Sequence, residues 1–267
     1  MQKTIGIIGC GNMGSAILSK DAGCRFIVYD QDKTKLSLAR RKFHVKAAVD
    51  ITDLIRQSQV AIIAVKPQDI DGVLDEAACA IKLWKRKDIL IISIAAGIST
   101  QYIENRICNK VKVVRAMPNL AATVGQGVTA LFKGRFASRQ DFKLARKLFA
   151  GFGVEITVKD EGLIDVVTAV SGSGPAYFFF IFSAICKVAE ELGLDGKVVN
   201  SILHQTVIGA MKLLDKHGFD AQTLISRVTS KGGTTEAALK VFADRQLEKA
   251  IRDAVIAAYK RAGELSR

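Results

Sequence analysis

Thr4-Ile-Gly-Ile-Ile-Gly-Cys-Gly-Asn-Met-Gly14 decides the fold of this chain. Gly9, Gly11 and Gly14 form a GxGxxG pattern where a short apolar run gives way to a helical one. Glycine at the first position allows a tight turn, at the second admits a pyrophosphate to the backbone, and at the third lets helix and strand pack closely. The helix start beyond them offers unpaired N–H groups and a favourable dipole to a phosphate. Asn12 and Met13 lie inside the same loop. GxGxxG alone is a weak signal. Here a second strand, Arg25 to Tyr29, completes a strand–turn–helix–strand unit and predicts dinucleotide binding.

That second strand ends at Asp30, 16 residues beyond Gly14. An acid there accepts hydrogen bonds from the adenosine ribose and repels a 2′-phosphate, which favours NADH. The alternative for Asp30 is to cap the helix ahead of Lys33. Lys33 and Lys35 follow and can pair with a phosphate. Thr4 to Ile8, Val60 to Val65, Ile89 to Ile94 and Lys112 to Arg115 are further short apolar runs, as expected of strands covered on both faces. Helical patterns lie between them at Gly14 to Lys20, Lys33 to Arg41, Asp50 to Arg56 and Ile70 to Ala80. The alternation predicts a parallel, doubly wound α/β sheet, with Val128 to Phe132 and Val154 to Val158 as added strands at its edge.

Ligands of such sheets bind beyond the C-terminal ends of the strands. Ala64-Val-Lys-Pro-Gln68, Ala95-Ala-Gly97 and Met117-Pro-Asn119 fall on that edge. Lys66 either faces the cofactor or substrate or is a solvated strand-end lysine. Asn119 either gives a donor and an acceptor near a nicotinamide or makes an Asx turn.

From about Glu161 long helical periods take over, at Ala176 to Leu192, Asp195 to His217, Asp220 to Val228, Thr235 to Ala243 and Gln246 to Glu264. A boundary near 160 therefore separates a dinucleotide-binding domain, 1–160, from a helical one, 161–267. The helical part holds Thr229-Ser-Lys-Gly-Gly-Thr-Thr235. Its glycines let bare N–H groups approach a ligand, Thr234 or Thr235 can cap the following helix, and the helix start suits an anion such as a carboxylate. The longest apolar run, Ala176 to Cys186, is too short to span a bilayer and reads as a buried core helix.

Composition sets limits on these readings. With 267 residues, 49% of them hydrophobic and 24% charged, the chain is an ordinary globular one of one large or two modest domains. Its net charge of +13 attracts anions, but the basic residues are dispersed. The densest clusters, Arg40-Arg41-Lys42 and Lys82 to Lys87, are short, so no specific nucleic-acid partner is expected. Cys10, Cys24, Cys79, Cys108 and Cys186 form no CxxC pair and read as reduced, buried thiols of a cytoplasmic protein. His44, His204 and His217 lack metal-ligand spacing, and no secretory leader or membrane span is expected.

The combination resembles the pyrroline-5-carboxylate reductase family. The resemblance rests on Gly9-Cys-Gly-Asn-Met-Gly14, Val65-Lys-Pro67, Ser93-Ile-Ala-Ala-Gly97, Arg115-Ala-Met-Pro-Asn119, Ser171-Gly-Ser-Gly-Pro-Ala-Tyr177 and Ser230 to Thr235, in the family's order. It implies an α/β Rossmann N-terminal domain and an all-α C-terminal dimerisation domain that interleaves with a second copy. It also implies a homodimer whose dimers assemble further into a decamer. The implied reaction is reduction of the C=N bond of L-1-pyrroline-5-carboxylate to L-proline by NAD(P)H. Gly9, Gly11, Asn12, Met13, Gly14, Asp30, Ala64, Val65, Lys66, Pro67, Ala95 and Asn119 would line the cofactor. Ser171, Ser230, Gly232, Gly233, Thr234 and Thr235 would hold the substrate, with Thr235 hydrogen-bonded to the ring nitrogen and Ser230 beside it.

A protonated cyclic imine takes hydride readily, so the protein has mainly to position and to stabilise charge, and no metal or nucleophile is required. Two departures stand out. Lys231 occupies a position where the family usually has proline, and either attracts the substrate carboxylate or points into solvent. Leu120-Ala-Ala replaces residues that in the family are commonly threonine and proline. A β-hydroxyacid dehydrogenase, with Lys187 as acid–base group, and a non-catalytic dinucleotide-binding paralogue are the competing readings.

Overall fold

The computed structural model describes residues 3–19, 23–86, 88–107 and 110–266; Lys20, Lys87 and Cys108 lie outside them. The first half runs β1 (Thr4–Ile8), α1 (Asn12–Leu18), β2 (Arg25–Tyr29), α2 (Lys33–Phe43), β3 (Lys46–Ala47), α3 (Ile51–Gln57), β4 (Val60–Ile63), α4 (Ile70–Leu83), β5 (Leu90–Ser93), α5 (Thr100–Ile107) and β6 (Lys112–Pro118). β7 (Gly127–Lys133), α6 (Arg139–Ala150), β8 (Gly153–Thr157) and the short α7 (Leu163–Val167) follow. The strands form one sheet in the order β3-β2-β1-β4-β5-β6-β7-β8. All neighbours are parallel except β6 and β7, which pair antiparallel. The doubly wound sheet and its two added strands are thus as expected.

Strand periodicity places the core. In β1, Ile5 and Ile7 face a cluster with Ile17 and Leu18 of α1 and with Leu148 and Phe149 of α6. Ile8 faces the other side, where Leu54 and Ile55 of α3 meet Leu74 and Ala77 of α4 and Ile103 of α5. Both faces of β4 and β5 are fully buried, which requires the continuous apolar runs seen in the sequence. α6 begins with a capping box in which Asp141 N–H donates to Ser138 Oγ and Ser138 N–H to the Asp141 carboxylate.

The second half comprises α8 (Gly174–Glu191), α9 (Gly196–Lys216), α10 (Ala221–Val228), α11 (Thr234–Asp244) and α12 (Leu247–Leu265). Asp195 and Asp220 cap α9 and α10, and Gly193 and Gly218 adopt left-handed backbone shortly after α8 and α9. The chain forms two compact units, residues up to Pro175 with those from Ala258 onward, and Ala176–Ala257. In the structure the first unit takes in the segment up to Pro175 and the end of α12. The cause is chemical. Ile164 and Ala169 are buried, Arg115 pairs with Glu161 and Asp165, and Ser266 Oγ donates to Asp165.

Two expectations need correction. The run Ala176 to Cys186 is not a buried core: Phe178, Phe179 and Phe180 are 64%, 64% and 76% exposed. It belongs to a helical segment, Leu163–Glu191, whose 29 residues are long and apolar enough to cross a membrane by length and composition, although the 11-residue run alone is not. Nor are the cysteines uniformly buried. Cys10 is, but Cys24 and Cys186 are half-buried and Cys79 is exposed.

Candidate active site

The first unit gathers the expected cofactor residues along one sheet edge, because β1, β2, β4, β5 and β6 all point the same way. Gly9 N–H donates to Tyr29 O at 2.8 Å and Ala64 N–H to Ile8 O at 2.8 Å, which ties the loops after β1, β2 and β4 together. The three glycines answer to different needs. Gly9 has φ +104°, and a Cβ there would lie 2.6 Å from Ala64 O. A Cβ on Gly14 would run into Gly9 O. A Cβ on Gly11 would meet nothing within 4 Å, so the protein itself gives no reason for glycine at the N-cap of α1. The residues fit a dinucleotide, with the space at Gly11 for its pyrophosphate. Asn12 and Met13 open α1, and Met13 packs on the core below.

Asp30 turns inward. Its Oδ2 accepts from Cys10 N–H at 2.6 Å and its Oδ1 from Asp32 N–H at 2.8 Å. It does not cap α2; that role falls to Asp32, whose carboxylate accepts from Thr34 and Lys35 N–H. Asp30 therefore braces the glycine loop from the end of β2. Burial, with the Asp30 charge beside it, pushes the Cys10 thiol up to about 12 and leaves it inert. Val65 packs on one core face and Ala64 on the other, Lys66 is exposed, and Pro67 opens a 3₁₀ turn. Ala95 is buried, its N–H donating to Ser93 Oγ at 3.3 Å.

Asn119 commits both ends of its side-chain amide within the chain. Its Nδ2 donates to the Ser171 carbonyl at 3.2 Å and to Ser171 Oγ at 3.1 Å, and its Oδ1 accepts from Val128 N–H at 3.1 Å. Arg115, quoted in the sequence only as part of a motif, is 3% exposed. Its guanidinium reaches Glu161 at 3.3 Å and Asp165 at 3.4 Å, while Glu161 also accepts from Thr100 N–H and Oγ1 at 2.7 Å. A cation inside an apolar strand was the available signal, since a buried charge requires partners.

The second unit holds Ser230 to Thr235 between α10 and α11. Gly232 takes φ +73°, and a Cβ on Gly233 would run into Ser230 Oγ, so each glycine has its own cause. Gly233 is the N-cap of α11; neither Thr234 nor Thr235 caps it, because both already lie in its first turn. Gly233 N–H donates to Ser230 O at 3.0 Å, and Gly232 N–H to Glu236 Oε2 at 2.6 Å. Glu236 is the residue the sequence reading missed, although an acid three places after a helix cap is a recognisable pattern. The hydroxyls of Ser230, Thr234 and Thr235 make no hydrogen bond among the described residues. Lys231 is exposed, and Lys187 is exposed on α8.

Two family models match separate parts of the chain. A family model for pyrroline-5-carboxylate reductase dimerisation matches residues 161–265, and one for NADP oxidoreductase, coenzyme F420-dependent, matches residues 4–97. A pyrroline-5-carboxylate reductase of Methanosarcina acetivorans is 34% identical over 98% of each chain. The crystal structure of one from Coxiella burnetii is 33% identical over the whole of both chains, with a TM-score of 0.87. That of a Plasmodium falciparum pyrroline carboxylate reductase with NADP bound has a TM-score of 0.86 over 99% of this chain and 98% of its own, at 23% identity. From full-length identity of this order, with both halves matched, the chain belongs to the pyrroline-5-carboxylate reductase family.

Proposed function

We propose that the protein reduces L-1-pyrroline-5-carboxylate to L-proline. The observation that carries this reading is the Ser230–Thr235 loop of a family member: a helix start whose three hydroxyls have no partner among the described residues. NAD(P)H, when bound, supplies the hydride that the ring carbon accepts. The chain's own residues position and stabilise. Thr234 and Thr235 N–H groups, orphaned at the start of α11, suit the substrate carboxylate, with Ser230 and Thr234 hydroxyls beside them. The Thr235 hydroxyl holds the ring nitrogen and relays its proton to or from water, and Ser230 stabilises the same region. Gly232 and Gly233 shape the loop rather than donate, since both N–H groups are taken within the chain. Ser171 belongs to the substrate end of the first unit.

The glycine loop, Ala64 to Pro67 and Ala95 are assigned to the cofactor. The Asp30 carboxylate, with Asp32 two residues on, disfavours a 2′-phosphate and supports a preference for NADH. We further propose a homodimer through the exposed apolar face of the helical unit, dimers assembling into a decamer, and a cytoplasmic location, to which the absence of CxxC pairs among the cysteines is suited. The test is oxidation of NADH and NADPH by the purified protein on addition of pyrroline-5-carboxylate, with proline quantified. Proline formation, faster with NADH, is expected. A folded oligomer that turns over neither cofactor, or that oxidises serine or 3-hydroxyisobutyrate instead, removes the reading.

A further inference from the structure

Asn119 stands where β6 leaves the sheet. Its own carbonyl accepts from Ala122 N–H at 3.1 Å in the turn that follows, so it is lost to the β6–β7 ladder. The side-chain Oδ1 takes over, accepting from Val128 N–H, while Asn119 N–H donates back to Val128 O at 3.1 Å. The other end of the side chain meets a second gap. Pro175 has no N–H to give the Ser171 carbonyl four residues earlier. Just there Thr168–Gly172 widens into a π-helical turn, with Ser173 N–H donating to Thr168 O at 2.9 Å. Such turns cluster at functional sites. Asn119 Nδ2 donates to that carbonyl and to Ser171 Oγ. An amide is the one small side chain with an acceptor for Val128 and a two-proton donor for Ser171. At 9% exposure it has little surface left for a ligand.

We propose that Asn119 is a positioning residue, which fixes the Ser171 turn and sets its hydroxyl as an outward donor, and is not itself a cofactor ligand. Ser171 Oγ receives a hydrogen bond from Asn119, and its own proton finds no acceptor among the described residues. That proton is directed at an acceptor atom of the bound pair, a carboxamide or carboxylate oxygen. β6 lies three strands from the glycine loop of β1 and on the opposite side of it from β2, which is where the nicotinamide end of a dinucleotide runs in such a sheet. The proposal rests on the reductase reading above.

The experiment is a double-mutant cycle of Asn119→Asp and Ser171→Ala, reading kcat, substrate KM, cofactor Kd and hydrogen exchange over 171–174. Aspartate keeps the acceptor for Val128 but sets an acceptor against the Ser171 carbonyl and draws the serine proton inward. Asn119→Asp should lower kcat by about ten-fold or more with cofactor Kd within about two-fold. In the Ser171→Ala background the same change should cost under about three-fold. Equal losses in both backgrounds, or a cofactor Kd that rises with the loss of kcat, overturn the proposal. If the wild type shows no turnover, the reductase reading fails on its own, and exchange still decides the clip: faster exchange in Asn119→Asp supports it, unchanged exchange refutes it.

Discussion

The two compact units differ in what completes them. In the first, apolar side chains on both faces of the sheet close into two clusters, and β4 and β5 are buried throughout. In the second, Val199 is the one apolar side chain buried within Ala176–Ala257, while Phe178, Phe179, Phe180, Ile185 and Val188 lie open. Both are well capped and regularly helical where they should be. A sheet with helices on both faces buries its apolar surface within one chain, whereas these helices carry apolar surface on faces their own chain leaves uncovered. An exposed apolar face of this extent marks an interface, and a second copy is the natural occupant in a domain of a dimerisation family.

The contrast can be broken most severely at the open face. Phe180→Asp should place an unpaired carboxylate in the interface at a cost of about 3–5 kcal/mol, and sedimentation should show a monomer whose helical part melts early. A variant that stays dimeric would mean that Phe180 faces solvent. Gly14→Ala attacks the first unit instead. Its Cβ runs into Gly9 O, so the unit should lose about 1–3 kcal/mol by denaturant titration, along with cofactor affinity. Ser138→Ala removes half of the α6 capping box and should cost about 1 kcal/mol. Burial pushes the Asp141 carboxyl up, but hydrogen bonds from Ser138 and the nearby Lys112 outweigh it and hold the group below its ordinary 3.8. A depressed folded pKa stabilises above the unfolded value. The gap to wild type should therefore be full at neutral pH and narrow as pH falls below 3.8, to what the Asp141 N–H bond to Ser138 Oγ contributes. The smallest effect is expected at Lys231→Pro. An exposed lysine contributes little, and substrate KM should change by less than about two-fold. A larger rise would give Lys231 a part in attracting the carboxylate.

Much of the first unit was legible because continuous apolar strands and a glycine fingerprint are local signals. β3 was not, since two residues carry no period. The openness of α8 was not, since an apolar helix has the same sequence whether its own chain or a second copy covers it. At the site, the residue types were legible and their commitments were not. Asp30 and Asn119 each had a ligand-facing and a structural reading, and in the structure Asp30 accepts from Cys10 N–H while Asn119 is committed to Ser171 and Val128. Asx side chains at strand ends suit either use, and only the neighbouring backbone decides. Arg115 acts through partners 46 and 50 residues away, which sequence spacing does not reveal.

The central claim is a division of labour: a glycine loop in one unit for the cofactor, and another in the second unit for the substrate. Gly11→Ala and Gly233→Ala, measured side by side for cofactor Kd and substrate KM, test it most directly. Gly11→Ala meets nothing in the protein and should fold normally, yet raise cofactor Kd about ten-fold while substrate KM at saturating cofactor stays put. Gly233→Ala, driven against Ser230 Oγ, should do the reverse. Wild-type cofactor binding in Gly11→Ala, or loss of both constants together in either variant, would contradict the account.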